Sequence, residues 1–382
     1  MSQNSDNLGL TYALSRHINA KVFCPVGHVD LIITDDCNGC CDYCFMEGRK
    51  PGRMSLETAK KAVDLLIDYS GKMNRLNLLF FGGEPLLEFG LMRDTIAYCE
   101  QRSKETGKEF AFSITTNGTL LTPEILNYLS RKGIKFLLSL DGTREMHNKH
   151  RKLKSGESPW DIVVEKLPYF KRYQPWQGTR LTLMPDTAGQ LVEGVLDLYG
   201  RGMNQFIIGP ATGVIWTKEE CAAYEQQLIA LADIYMDKKA RGEPFRMTLF
   251  EDDIEKKAEY KGFWGCGAGR GRISIAPSGE IQSCAKVQGA CDSKGFLPLG
   301  NVADGISNIN NRMMFAHSHG SKRVNCKECE FKDECAGGCP AVNLTETGNM
   351  FLPSAHHCEF VRIAMRLRKH LRAKTDKAKE DG

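Results

Sequence analysis

Apolar residues along this chain follow two alternating rhythms from residue 28 to about 240. Short β-rich runs stand at 29–33, 75–81, 110–116, 134–140, 179–184 and 205–208, with helically spaced stretches between them. The stretch 56–69 follows Ser55, whose hydroxyl suits the unpaired N–H groups of a helix start. Thr122, Pro123 and Glu124 mark another start, since a cap, an early proline and an early acid agree on it. Six strands alternating with helices predict an α/β fold with a parallel sheet. Ligands of such sheets collect at the carboxyl ends of the strands. The unusual residues of this chain follow strand ends.

After about residue 262 the helical rhythm fades, and glycine, cysteine and turn residues take over to Cys358. That stretch reads as too loop-rich for a conventional core, so bound metal is expected to hold it together. The expected organisation is an extension over 1–27, a strand–helix domain over 28–240 and a bridging helical region over 241–262. A cysteine-rich domain over 263–360 and a basic tail over 361–382 follow. The tail carries Arg362, Arg366, Arg368, Lys369 and Arg372 at helical spacing and reads as a solvated face.

Composition excludes several classes. With 382 residues, 42% hydrophobic and 26% charged, the chain is an ordinary globular one of two or three domains. A formal charge of +4 is too small to imply nucleic acid or a membrane as partner. No apolar run reaches the roughly 18 residues that span a bilayer. Met1 to Leu10 lacks the layout of a signal peptide, so a cytoplasmic location with reduced thiols is expected. Fifteen cysteines there, clustered in metal-like spacings, point to metal and not to disulfides.

The densest cluster is Cys37-Asn-Gly-Cys-Cys-Asp-Tyr-Cys44, which contains a CxxxCxxC of Cys37, Cys41 and Cys44. Three thiolates can hold three irons of a [4Fe–4S] cubane and leave the fourth open. A zinc site would need a fourth ligand and does not favour this spacing. The spacing, the strand before it and Tyr43 just ahead of the last cysteine resemble the radical S-adenosylmethionine (SAM) superfamily. The resemblance implies a partial (β/α)6 barrel whose open iron binds SAM, and a cluster electron that cleaves SAM to a 5′-deoxyadenosyl radical. Later positions fit the same family: Gly82, Gly83 and Glu84 after the second run, and Asn117 after the third. Ser139 and Asp141, on one face by alternation, end the fourth run, and Arg151 follows His147-x-x-His150. By resemblance, Gly82 to Glu84 meet the SAM amino group, Ser139 and Asp141 meet ribose and methionine groups, and Arg151 lies near the carboxylate.

The later cysteines, Cys266, Cys284, Cys326, Cys329, Cys335, Cys339 and Cys358, resemble the SPASM domain, an extension of radical SAM enzymes with two auxiliary [4Fe–4S] clusters. That resemblance implies an outer cluster on Cys326, Cys329, Cys335 and Cys358, and an inner one on Cys266, Cys284 and Cys339. Cys291 is expected as the fourth inner ligand; left free, it would open one iron to a substrate cysteine. Cys24 and Cys40 have no assigned role, and Cys99 and Cys221, on helical patterns, read as buried apolar thiols.

SPASM enzymes act mostly on peptides or proteins, so the resemblance implies oxidative maturation of a ribosomally made peptide, by thioether or carbon–carbon cross-linking. The alternative is anaerobic sulfatase maturation, in which an aspartate directly follows the second SPASM cysteine as base. Here Ala285 and Lys286 stand there. A protein that only carries electrons or senses redox state would not need the SAM-type residues. Implied partners are a peptide or protein substrate and a reductant such as flavodoxin or ferredoxin. The short extension before the first strand is expected to leave no room for a leader-recognition domain, so leader binding would come from a separate protein, from the barrel itself, or not occur.

Overall fold

In a computed structural model of the chain, the described residues are 25–46, 48, 52–174, 176, 178–251, 267–287, 298–317, 323–333, 335 and 337–380, and structural statements concern these. They group into two compact units. One takes the residues up to Cys37, Phe45–Thr115 and Trp264–Ser318; the other takes Asn38–Cys44, Thr116–Phe263 and the residues from His319 on. Strands β1 (His28–Thr34), β2 (Arg75–Gly82), β3 (Glu109–Thr116), β4 (Lys135–Ser139), β5 (Gly178–Leu183) and β6 (Gln205–Pro210) fall on the six expected runs. Shorter strands follow: β7 (Arg246–Met247), β8 (Arg272–Ile275), β9 (Glu280–Gln282), β10 (Gly300–Asn301) and β11 (Gly305–Ile306).

In the first unit the order is β11-β10-β9-β8-β1-β2-β3. β1 pairs in parallel with β2 and β8, and β2 with β3. Val29, Leu31, Ile32 and Ile33 are fully buried, the near-continuous apolar run of a strand covered on both faces. Asp30 interrupts it, and its carboxylate is answered by Arg272 of β8 at 2.7 and 2.9 Å and by His28 at 2.9 Å. The helix Leu56–Tyr69 starts as expected, with Ser55 accepting from the Thr58 N–H at 3.0 Å. At its far end the Tyr69 hydroxyl accepts from the Ile306 N–H at 3.2 Å.

In the second unit the order is β4-β5-β6-β7, all parallel. Leu138, Leu181, Leu183 and Phe206 are buried on one face, while Ser139, Arg180, Thr182 and Ile207 are half-buried on the other.

Two expectations need correction. The stretch after residue 262 has more core than its pattern predicts: Ile273, Ile275, Ile281 and Leu299 are fully buried on or beside short strands. Strands of two to four residues are too short for alternation to register. The tail, moreover, is a packed helix, Ala355–Glu380, with Phe360, Ile363, Leu367 and Leu371 buried at helical spacing. Its partner is the helix Lys218–Ala240, where Glu225 accepts two bonds from Arg366 at 2.5 and 2.8 Å. The interleaved basic residues hid this apolar stripe.

Ser55→Ala should lower unfolding free energy by about 1 kcal/mol, the usual cost of a lost cap. A urea midpoint equal to that of the wild type would show that the cap adds nothing.

Candidate active site

Within the second unit, the cysteine loop Asn38–Cys44 is strapped along residues 150–154. The Cys40 N–H donates to Lys152 O at 2.8 Å, Asp42 N–H to His150 O at 3.0 Å, and Lys154 N–H to Asn38 O at 2.9 Å. Side chains reinforce the strap. The His150 ring lies between Asp42 (3.2 Å) and Asp186 (2.8 Å), and Lys152 reaches Asp42 at 3.3 Å. Asn38 donates to Thr119 at 2.9 Å and accepts from Asn117 at 2.8 Å, so Asn117 holds the loop. Cys41 and Cys44 are half-buried free thiols. Cys40 is exposed, and its thiol turns to the Lys152 carbonyl at 3.7 Å. Burial raises the pKa of Cys41, and the neighbouring Arg151 guanidinium opposes that rise.

Asp141 is the hub beside this loop, only 3% exposed. One carboxylate oxygen accepts from Arg151 Nη2 (3.1 Å) and the Thr182 N–H (2.8 Å). The other accepts from Arg151 Nε (2.6 Å) and the Tyr43 hydroxyl. A carboxylate offers about four acceptor sites, so all are filled from within the protein. The Arg151 guanidinium also lies 5.3 Å from the Tyr43 ring centre. Desolvation pushes the Asp141 pKa up, but the Arg151 charge and its hydrogen bonds outweigh this, and the net shift is downward. His147 accepts the Asp141 N–H at Nδ1 (3.2 Å), which places its own proton on Nε2. Burial pushes that imidazole down to about 3, so it is neutral at pH 7.

The expected glycines lie in the first unit, with Cys37. Gly82 has φ +138, and a β-carbon there would stand 2.1 Å from Thr34 O; at Gly83 it would stand 2.0 Å from Asp36 O. The Gly83 N–H donates to Thr34 O and the Glu84 N–H to Asp36 O, both at 2.9 Å. Bare backbone therefore lets the end of β2 press against the chain entering Cys37. The buried Glu84 carboxylate accepts from the Leu86 N–H at 3.1 Å.

Of the later cysteines, Cys284 lies half-buried in the first unit, while Cys326, Cys329, Cys335, Cys339 and Cys358 lie half-buried in the second. Cys24, Cys266 and Cys291 fall outside the described residues. Burial raises the pKa of Cys358 to about 11, with Cys335, Cys326 and Cys329 adding to the rise and Arg362 opposing it. Cys326 is raised by burial and Cys335, against Arg323. Four thiols thus share one electrostatic neighbourhood with two guanidiniums, a donor set that suits an anionic thiolate-bound cluster. Among the described residues no three metal-ligating side chains converge to the spacing of a single ion; thiolates on separate corners of a cubane stand further apart than that. Cys99 and Cys221 are buried, as expected of core thiols.

The sequence reading missed Asp42, His147 and His150 as parts of the site. Part of their signal was present: two histidines one helical turn apart.

These features define an α/β protein of the open parallel-sheet kind, with its reactive residues at strand ends. Residues 31–198 match the family described as the Radical SAM superfamily. The chain carries a radical SAM domain. It is 22% identical over 356 residues to the radical SAM cyclopropyl synthase TigE of Paramaledivibacter caminithermalis, spanning 88% of this chain and 73% of that protein. It is 24% identical over 372 residues to a serine-type anaerobic sulfatase-maturating enzyme of Bacteroides thetaiotaomicron, spanning 85% and 83%. In fold it is similar to anSMEcpe with bound AdoMet and a peptide (TM-score 0.72, 20% identity, 91% and 99% covered). It is also similar to Streptococcus suis SuiB bound to its precursor peptide SuiA (TM-score 0.61, 17% identity, 91% and 80% covered). No helix among the described residues is long and apolar enough to cross a membrane.

His147 gives a pH prediction. Its folded pKa is depressed from 6.5 to about 3, so the unfolded chain binds the proton first. Its contribution to stability is present above pH 6.5 and lost as pH falls toward 3. His147→Asn, which keeps an acceptor for the Asp141 N–H, should show a shallower loss of stability across that window in denaturant midpoints. An equal slope in both proteins would contradict the assignment.

Proposed function

We propose that this chain is a radical SAM oxidoreductase that modifies a peptide, and that its reaction is maturation of a ribosomally synthesised peptide through a thioether or carbon–carbon cross-link. The observation that carries the reading is the buried Asp141–Arg151–Tyr43 cluster at a strapped CxxxCxxC loop, inside a radical SAM domain. Cys37, Cys41 and Cys44 would hold the first [4Fe–4S] cluster. When bound, that cluster supplies the electron that cleaves SAM to a 5′-deoxyadenosyl radical. Cys326, Cys329, Cys335 and Cys358 would hold one auxiliary cluster, and Cys266, Cys284, Cys339 and Cys291 the other.

The chain's own groups divide the remaining work. Arg151, its charge fixed by Asp141, serves the SAM carboxylate. Gly82, Gly83 and Glu84 serve the amino group. Ser139 provides a hydroxyl for the ribose, while Asp141, its acceptor sites filled, positions Arg151 and Tyr43. Arg323 and Arg362 offset negative charge on the outer thiolates. A flavodoxin- or ferredoxin-like protein would supply electrons, and a separate leader-binding protein would present the peptide. Peptides bound to both similar structures support a peptide substrate.

Formylglycine formation on a sulfatase is the second reading, favoured by the greater likeness in fold to anSMEcpe (TM-score 0.72 against 0.61). Against it, the position expected for its base is Ala285, 8% exposed.

Replacing Cys37, Cys41 and Cys44 together by alanine should abolish 5′-deoxyadenosine formation and leave iron bound by the later cysteines. Product from that variant would remove the loop from the reaction. Asp141→Ala should weaken SAM binding by roughly 1–3 kcal/mol, since Arg151 loses its fixed orientation. Unchanged affinity in equilibrium titration would take Asp141 out of the pocket.

A further inference from the structure

In the second unit, the turns that carry Cys326, Cys335 and Cys358 are joined through the backbone of Gly337. The Gly337 N–H donates to the Cys335 sulfur, two residues back, at 3.2 Å. Its carbonyl accepts from the buried Arg323, whose own carbonyl accepts the Cys326 N–H at 3.1 Å. The same Gly337 carbonyl accepts from the Asn343 amide at 3.0 Å. With φ at +85, Gly337 adopts backbone that side chains disfavour, so this turn depends on glycine.

Asn343 is fully buried on the helix Pro340–Thr347. It lies one turn after Cys339, whose carbonyl accepts the Asn343 N–H at 2.9 Å. Its amide nitrogen also donates to Met350 O at 3.0 Å, and its amide oxygen accepts the Ser354 N–H at 3.1 Å. The Ser354 carbonyl in turn accepts the Cys358 N–H at 2.9 Å. One carboxamide therefore ties the Cys335–Gly337 turn to the approach to Cys358, with both donors and its acceptor in use. An aspartate has no donors for the two carbonyls, and an aliphatic side chain would strip all three groups of these bonds.

Hydrogen bonds to the sulfurs are one of the levers that set a cluster's reduction potential. An N–H aimed at a thiolate favours the reduced, more negative cluster. Such a bond is dependable only while its donor is held, and here Arg323 and Asn343 hold it from behind.

We infer, on the reading of Cys326, Cys329, Cys335 and Cys358 as outer-cluster ligands, that Asn343 is a positioning residue for that cluster. By fixing Gly337 it keeps the peptide N–H on the Cys335 sulfur and raises the potential at which the outer cluster takes up an electron. A cluster that is easier to reduce is a better acceptor for an electron given up by an oxidised peptide.

The test is electron–nuclear double resonance with a redox titration, on reconstituted holoenzyme carrying glycine isotopically labelled at nitrogen. Subtracting the spectrum of a Cys326→Ala, Cys329→Ala variant isolates the outer cluster. In the wild type, that cluster should couple to a glycine nitrogen and to an exchangeable proton. Asn343→Leu should weaken both couplings and lower the midpoint potential, changing the ratio of reduced to oxidised outer cluster at fixed potential about fivefold or more. The first cluster's signal with SAM should stay as in the wild type. Ser354→Ala removes the hydroxyl that accepts the His357 N–H but spares every Asn343 bond, so it should leave couplings and potential unchanged. The wild-type couplings need no variant and keep the test open if Asn343→Leu folds poorly. Absence of a glycine-nitrogen coupling in the wild type, a ratio within about twofold of wild type in Asn343→Leu, or an equal shift in Ser354→Ala overturns the inference. An iron content left unchanged by the double cysteine variant removes the outer cluster itself, and the inference with it.

Discussion

A single buried ion pair, Asp141 with Arg151, organises the candidate site. Its carboxylate joins the chain just past β4, the residue that opens the 151–154 strap, the β5 backbone at Thr182, and Tyr43 of the cysteine loop. Burying such a pair costs desolvation that good geometry only roughly repays, whereas removing one partner costs about 3–5 kcal/mol. Its value here is positional. Each partner is held from two sides, so the loop that carries Cys41 and Cys44 is fixed relative to β4 and β5 before any ligand arrives.

The two cysteine sets share an electrostatic design. Cys41 lies beside Arg151, while Cys326 and Cys358 lie in the field of Arg323 and Arg362. In each case burial disfavours the thiolate and a guanidinium opposes that effect. Thiolates, not thiols, ligate metal, so a fixed cation lowers the cost of assembling them in a partly dry place. Arg323 is itself buried and donates to Gly337 O, where a β-carbon would stand 1.6 Å from its Nη1. Glycine at 337 is thus required by the position of the arginine.

Much of this was legible in the sequence, and the limits were physical. Strands β1 to β6 are five to eight residues long, enough for apolar runs and alternation to show, and Ser55 and Thr122 cap helices where their chemistry predicts. Strands β7 to β11 are too short to leave a pattern, so their buried isoleucines looked like loop residues. The roles of particular residues were less readable than their importance. Gly82 and Gly83 stand out in the sequence, but not the further constraint on them, the backbone oxygens of Thr34 and Asp36 packed where their β-carbons would be. Asp141 was expected to meet ribose, but its acceptor sites are filled by Arg151, Thr182 and Tyr43.

In the proposed function the thiolates of Cys37, Cys41 and Cys44 leave one iron for SAM. Electron–nuclear double resonance of the reduced, reconstituted protein, with SAM isotopically labelled at its amino nitrogen, tests it most directly. A hyperfine coupling between the label and the reduced cluster, lost in the Cys37, Cys41 and Cys44 alanine variant, is the expected result. A reduced cluster that shows no coupling while SAM is bound contradicts it.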